Sequence, residues 1–145
     1  ESSLTEAERE LIAAYVSSRN QCSFCMNSHA AAARCLYEDD HMMVDDVLND
    51  MQASRLTEKL KALLNIAGKV QVSGKAVLQE HIDEAKKSGA SDREIHDTVL
   101  IAAAFSMFNR YVDGLASLTP SDPAVYKEMG TRMAAGYRLP QKSIT

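Results

Sequence analysis

The chain has 145 residues, of which 46% are hydrophobic and 25% charged, a composition typical of a globular protein rather than a disordered segment. This length predicts one domain over residues 1–145 that can bury a single core. The net charge of −4 argues against nucleic-acid binding, because no basic stripe is present to neutralise phosphates.

The chain also lacks the sequence signals of a membrane or secreted protein. No apolar run approaches the roughly 20 residues that a membrane helix needs, and no signal segment is visible, so we expect a cytoplasmic protein without a membrane partner. The start at Glu1 rather than Met is consistent with removal of a leader or an N-terminal segment. Three cysteines are too few for a secreted disulfide scaffold.

The first helices are predicted from capping and periodicity. Thr5 and Glu8 form a capping box, and the apolar face that follows predicts a helix over roughly 6–19. Alanine, the strongest helix former, predicts a second helix over about 22–37. No alternating strand pattern of useful length occurs, so the predicted fold class is all-α.

The rest of the chain repeats these helix signals. They predict a third helix over 42–51, a fourth capped by Thr57, a fifth over 75–88 closed by Gly89, a long sixth opened by Ser91 and Glu94, and a last helix between Pro123 and Gly136. Residues 136–145 are predicted to be a tail. The whole chain therefore predicts one domain of about six to seven helices.

The segment NQCSFCMNSHA, residues 20–30, is the strongest chemical signal, because it places Cys22, Cys25 and His29 within eight positions. In a helix these side chains would lie within roughly 60° of arc. A cysteine near a helix N-terminus is favoured as a thiolate, and His29 is spaced to exchange a proton with Cys25. Two cysteines three apart can also close a disulfide, so the segment contains the parts of a redox dithiol.

Packing and metal binding stay open as alternatives for this segment. Free cysteines are often small buried hydrophobic residues, which would make the pair a packing feature. Zinc is the second alternative, but the segment supplies three ligands and a structural site needs four. Cys35 lies ten positions beyond Cys25, and His41, His81 and His96 are scattered without ligand spacing.

Glu10 lies twelve positions before Cys22, and periodicity alone favours a solvated charge on the first helix. An antiparallel pairing of the first two helices would instead return Glu10 toward the start of the second. A carboxylate buried there beside Cys22 would be a proton acceptor or relay, with its pKa raised by desolvation.

The run ERELIAAYVSSRNQCSFCMNSHA, residues 8–30, resembles the signature of the alkylhydroperoxidase AhpD-like, or carboxymuconolactone decarboxylase, superfamily. The shared pattern is a Glu, then C-x-x-C, then a His four positions after the second Cys. Residues 56–64, 89–97 and 108–113 are similar to later parts of that pattern. The resemblance covers roughly residues 4–118 and is closest to the peroxidase-related branch.

This resemblance implies an AhpD-like helical fold, with the CxxC at the start of the second helix, that assembles into trimers or hexamers. It implies a thiol-dependent hydroperoxidase or disulfide reductase that uses no metal, haem or other cofactor. By the family pattern Cys25 attacks, Cys22 resolves, His29 carries the proton of Cys25, and Glu10 starts a relay through Cys22. The implied partners are a hydroperoxide or disulfide substrate and a dithiol or protein reductant.

Phe24 departs from the family pattern, because better-known members carry a second His directly before the second Cys. Any step that needs that imidazole is therefore in question. The decarboxylase branch lacks the cysteine pair, which disfavours the lactone reaction. The alternative class is a non-enzymatic helical oligomer with a structural zinc or a sensing disulfide at the motif.

The helix dipole and the resemblance disagree about which thiol attacks. The dipole is worth about 0.3–1 kcal/mol and favours Cys22, at the helix start. A nearby protonated His29 can match or exceed this, since one pKa unit corresponds to about 1.4 kcal/mol. We therefore expect Cys25 to be the attacking thiol.

Overall fold

The computed structural model describes residues 2–137, which contain helices and no strand. The α-helices are α1 (Glu6–Arg19), α2 (Ser23–Tyr37), α3 (Met42–Asp50), α4 (Glu58–Val72), α5 (Gln79–Lys87), α6 (Asp92–Gly114) and α7 (Pro123–Ala134), with 3₁₀ turns at Glu38–Asp40 and Gly74–Ala76. The all-α prediction is confirmed, as is a CxxC at the start of the second helix. The single domain over 1–145 stays a prediction. Glu1 and residues 138–145, most of the predicted tail, lie outside the described residues.

The predicted caps form where the sequence places them. Thr5 accepts a hydrogen bond from the Glu8 N–H, and Glu8 in turn accepts from Thr5 N–H. The fifth helix begins later than predicted, at Gln79, because Ser73 caps a 3₁₀ turn and the following residues are extended. Gly89 ends the fifth helix region with φ 95°, a conformation that favours glycine.

Buried aliphatic side chains of α1, α3 and α4 form most of the core. The largest fully buried members are Leu4, Leu11, Ile12, Val16, Val44, Val47, Leu63, Leu64 and Ile66. The helix α1 lies at the centre of this packing, in contact with α2, α3, α4 and α6. Within residues 2–137 no helix is both long and apolar enough to cross a membrane.

The helices α2 and α7 approach each other closely at Gly130. A Cβ at this position would lie 2.5 Å from the backbone carbonyl carbon of Ala31, well inside contact distance. Buried alanines on α2 provide the matching flat surface, at Ala30 to Ala33. Gly130 is therefore required by the close approach rather than by its own backbone conformation.

We predict that Gly130→Ala lowers the free energy of unfolding by about 1–3 kcal/mol, because α7 must move away from α2 to admit the methyl group. This loss opposes the roughly 1 kcal/mol that alanine gains over glycine in a helix. Urea denaturation followed by circular dichroism measures the change. Gly114→Ala is the matched control, since a Cβ there meets nothing within 4 Å. Equal stability of the two variants would contradict the packing argument.

Candidate active site

The turn between α1 and α2 positions the first cysteine of the motif. Gln21 adopts φ 60°, and the Cys22 N–H donates to the Ser17 carbonyl at 3.0 Å. The chain thereby reverses within three residues and starts α2 with Cys22 as its N-cap. The helices α1 and α2 pack against each other.

A buried amide on α6 holds this turn in place. Asn109 is 1% exposed, and its Nδ2 donates to Ser17 Oγ at 3.0 Å while its Oδ1 accepts from Asn20 Nδ2 at 2.9 Å. Gln71 of α4 donates to Asn20 Oδ1 at 2.9 Å. Three helices thus fix the backbone that carries Cys22.

Cys22 is fully buried and is a free thiol. Burial raises the pKa of the Cys22 thiol to about 12. The backbone N–H of Cys25 opposes this rise, whereas hydrogen bonds of the Cys22 thiol to the Cys25 side chain and to the Asp113 carboxylate add to it. The helix-dipole prediction that Cys22 is the low-pKa thiol is therefore wrong, because desolvation outweighs the dipole.

Cys25 and His29, one helical turn apart on α2, line a common cavity of about 460 Å³. Cys25 is also a free thiol and is 5% exposed. Cys22 does not line this cavity but contacts Cys25 through the hydrogen bond between their thiols. The three motif residues are thus brought together, with Cys25 facing the cavity and Cys22 behind it.

Glu10 is buried rather than solvated, so the surface-charge interpretation is wrong. Its Oε2 lies 2.6 Å from His29 Nδ1, which joins α1 to α2 at the cavity. The contact that the structure shows for Glu10 is with His29, and the relay through Cys22 that the resemblance implies stays a prediction. A carboxylate acceptor at Nδ1 favours the tautomer with the proton on Nδ1, which leaves the Nε2 lone pair available as a base.

The cavity walls are mostly apolar. The Phe105 ring packs edge-on against the His29 imidazole, with ring centroids 4.5 Å apart at 82°, and Phe108 packs against Phe105 at 5.8 Å. The remaining lining residues are Arg9, Ala13, Ile101, Val112 and Tyr137.

Sequence reasoning missed the roles of Phe105 and Tyr137 at this site. For Phe105 a signal exists, since the α6 residues that line the cavity, at positions 101, 105, 108 and 112, follow helical spacing. For Tyr137, which lies far along the chain from Glu10, the sequence offers no local signal.

Phe24 lies outside the cavity that Cys25 and His29 line. Its ring packs against Tyr126 of α7, with centroids 6.4 Å apart, and Phe24 does not line the cavity. The residue at this motif position therefore helps to attach α7 to α2.

The third cysteine and the remaining histidines lie apart from the motif. Cys35 is exposed, His41 hydrogen-bonds the Glu38 carbonyl, His81 accepts from Leu78 N–H, and His96 contacts Asp97. Within residues 2–137 no group of three or more His, Cys, Asp or Glu side chains is arranged to hold a metal ion.

Comparisons with known proteins point to one superfamily. The sequence profile of the carboxymuconolactone decarboxylase family matches residues 1–39, which include the complete Glu10, Cys22, Cys25 and His29 set. No curated protein shows significant similarity to the chain.

Two solved structures share the fold. An uncharacterized peroxidase-related protein from Silicibacter sp. TM1040 aligns with a TM-score of 0.78 and 28% identity over 88% of this chain. The alkylhydroperoxidase AhpD core of an uncharacterized peroxidase-related protein from Ralstonia eutropha JMP134 aligns with a TM-score of 0.78 and 26% identity over 90% of this chain. The alignments cover 64% and 66% of those two proteins, so this chain spans slightly less than two thirds of each.

We predict that iodoacetamide at about neutral pH labels Cys25 and leaves Cys22 unmodified in a Cys35→Ser background, which removes the exposed third thiol. Cys22 stays protonated until the pH approaches its pKa of about 12, and its side chain is buried. Peptide mapping of the singly labelled protein identifies the modified residue. Denatured protein, in which both thiols are accessible, is the control. Preferential labelling of Cys22 would contradict the assignment.

Proposed function

We propose that this chain is a member of the AhpD-like carboxymuconolactone decarboxylase superfamily and a thiol-dependent peroxidase that reduces hydroperoxides with Cys22 and Cys25. The observation that carries the proposal is the position of Cys25 in a mostly apolar cavity beside His29, whose Nδ1 is bound by Glu10. In this arrangement the nucleophile would be the Cys25 thiol, the base that activates it His29, and the carboxylate that orients the base Glu10.

In the proposed first step, His29 Nε2 accepts the Cys25 proton, and the thiolate attacks the terminal oxygen of the hydroperoxide. An S–O bond forms as the O–O bond breaks, which leaves a sulfenic acid on Cys25. The alkoxide takes the proton from His29 and departs as an alcohol. The peroxide is reduced by two electrons, and the Cys25 sulfur is oxidised by two.

In the second step, Cys22 attacks the sulfenic sulfur of Cys25, water departs, and a disulfide forms between them. The hydrogen bond between the two thiols supports this pairing. The Cys22 proton passes to the Asp113 carboxylate, its hydrogen-bond partner, and from there to the departing hydroxide, which leaves as water. An external dithiol or a protein partner then reduces the disulfide and completes the cycle.

The cavity favours a hydroperoxide over a disulfide as the substrate. Phe105, Phe108, Ile101 and Val112 supply apolar walls, and about 460 Å³ is the size of a site for a small organic molecule. A hydroperoxide with an apolar substituent could bury that substituent there, whereas a protein disulfide would have to enter the cavity to reach Cys25.

Two further expectations accompany this proposal. We expect a homo-oligomer, a trimer or hexamer, as the resemblance implies, and a cytoplasmic location. The alternative of a structural zinc at the motif is tested by elemental analysis of the untagged protein, in which stoichiometric zinc would favour it. A sensing disulfide without turnover is separated from an enzyme by measuring peroxide consumption.

We predict that Cys25→Ser abolishes dithiol-dependent peroxide consumption, because the attacking sulfur is lost. Cumene hydroperoxide consumption in excess dithiothreitol measures turnover. Cys35→Ser, which replaces an exposed cysteine outside the cavity, is the matched control and should retain wild-type activity. Wild-type peroxide consumption by Cys25→Ser would overturn the proposal, as would a wild-type protein that consumes no peroxide.

We predict that Cys22→Ser forms the Cys25 sulfenic acid but does not convert it to the intramolecular disulfide. One equivalent of peroxide should make Cys25 reactive toward dimedone, and the adduct is detected by mass spectrometry. Wild-type protein, in which Cys22 competes for the sulfenic acid, should give much less adduct. Equal adduct in both proteins would contradict a resolving role for Cys22.

A further inference from the structure

The cavity contains a residue from the end of the described chain. After α7 ends at Ala134, Gly136 adopts φ 106°, and Tyr137 then lies along the cavity. The Tyr137 hydroxyl donates a hydrogen bond to Glu10 Oε1, while Glu10 Oε2 contacts His29 Nδ1. Both oxygens of the buried carboxylate are therefore occupied, one by each partner.

The hydrogen bond between Tyr137 and Glu10 is not one that an ordinary surface tyrosine would make. Tyr137 is 70% exposed as a residue, yet its hydroxyl reaches a buried carboxylate 127 positions earlier in the chain. Burial of the hydroxyl raises the pKa of Tyr137, and its bond to Glu10 raises it further. The phenol is therefore a neutral donor at physiological pH, and it keeps its proton for Glu10.

Within residues 2–137, Glu10 has no equivalent donor elsewhere at the site. Arg9 is the neighbouring cation and also lines the cavity, but its guanidinium donates to the Leu4 carbonyl at 2.6 Å and lies 3.7 Å from Glu6. The polar groups that contact the Glu10 side chain within residues 2–137 are thus His29 and Tyr137. A buried carboxylate with only one donor is poorly compensated, so the second bond matters for its charge and its orientation.

We propose that Tyr137 is a positioning residue for the thiol chemistry: its hydroxyl holds Glu10 in the orientation that fixes His29 Nδ1 and leaves Nε2 available to Cys25. The residue acts through Glu10 and need not contact the substrate. This inference rests on the proposed function only in taking Cys25 as the reacting thiol.

The test measures Cys25 reactivity directly, without peroxide. In the Cys35→Ser background, the rate of alkylation by iodoacetamide is followed from about pH 5 to 9 in wild type and Tyr137→Phe. We expect Tyr137→Phe to react roughly three- to tenfold more slowly near neutral pH, with a pH profile displaced upward. Tyr111→Phe, which removes a hydroxyl from an exposed ring of α6, is the matched control and should keep the wild-type profile. An unchanged profile for Tyr137→Phe would overturn the inference.

A double-mutant cycle separates positioning from direct action. If Tyr137 acts through Glu10, Tyr137→Phe should change the alkylation rate by less than about twofold when Glu10 is already Gln. An equally large effect in both backgrounds would show that Tyr137 acts independently of Glu10 and would overturn the proposal. Circular dichroism confirms that each variant is folded.

A second variant keeps the Tyr137 hydroxyl but disturbs the turn that positions it. Gly136→Ala should slow alkylation in the same direction as Tyr137→Phe, because φ 106° is strained for alanine although its Cβ would meet nothing within 4 Å. Wild-type reactivity in Gly136→Ala would contradict a placement role for this turn. These readouts are independent of turnover, so a protein that shows the Tyr137 effect but consumes no peroxide would refute the proposed function and leave this inference intact.

Discussion

The buried contact between Glu10 and His29 is the constraint on which the site depends. A carboxylate removed from water is stabilised only if its oxygens find donors, so Glu10 requires His29 Nδ1 on one side and the Tyr137 hydroxyl on the other. The same contact joins α1 to α2 and selects the histidine tautomer. The contact that compensates the buried Glu10 carboxylate therefore also orients His29, the proposed base.

The two cysteines of one short motif occupy different environments for a physical reason. Cys22 caps α2 beneath the turn that Asn109 holds, so it is desolvated and keeps its proton. Cys25, one turn later, faces the cavity beside His29. Access to the cavity thus distinguishes the proposed attacking thiol, Cys25, from the proposed resolving thiol, Cys22, although both are buried.

The long helix α6 organises the site without contributing to the motif. Asn109 fixes the α1–α2 turn, Phe105 packs against the His29 ring, and Asp113 hydrogen-bonds the Cys22 thiol. These residues are four positions apart and lie along one side of α6, so a single helix contacts the α1–α2 turn, the imidazole and the Cys22 thiol. Phe24 contributes differently, because it packs on Tyr126 of α7 and does not line the Cys25 cavity.

The sequence by itself determined the all-α fold, most helix limits and the candidate residues Cys22, Cys25 and His29, because capping boxes, periodicity and motif spacing are local properties of the chain. It did not determine the late start of α5 or the burial of Glu10. Only the tertiary structure decided that Glu10 meets His29, that Cys25 lines the cavity while Cys22 does not, and that a tyrosine from the far end of the described chain completes the carboxylate's hydrogen bonds. The physical reason is that burial and electrostatic compensation depend on which helices pack together, and sequence spacing does not encode that.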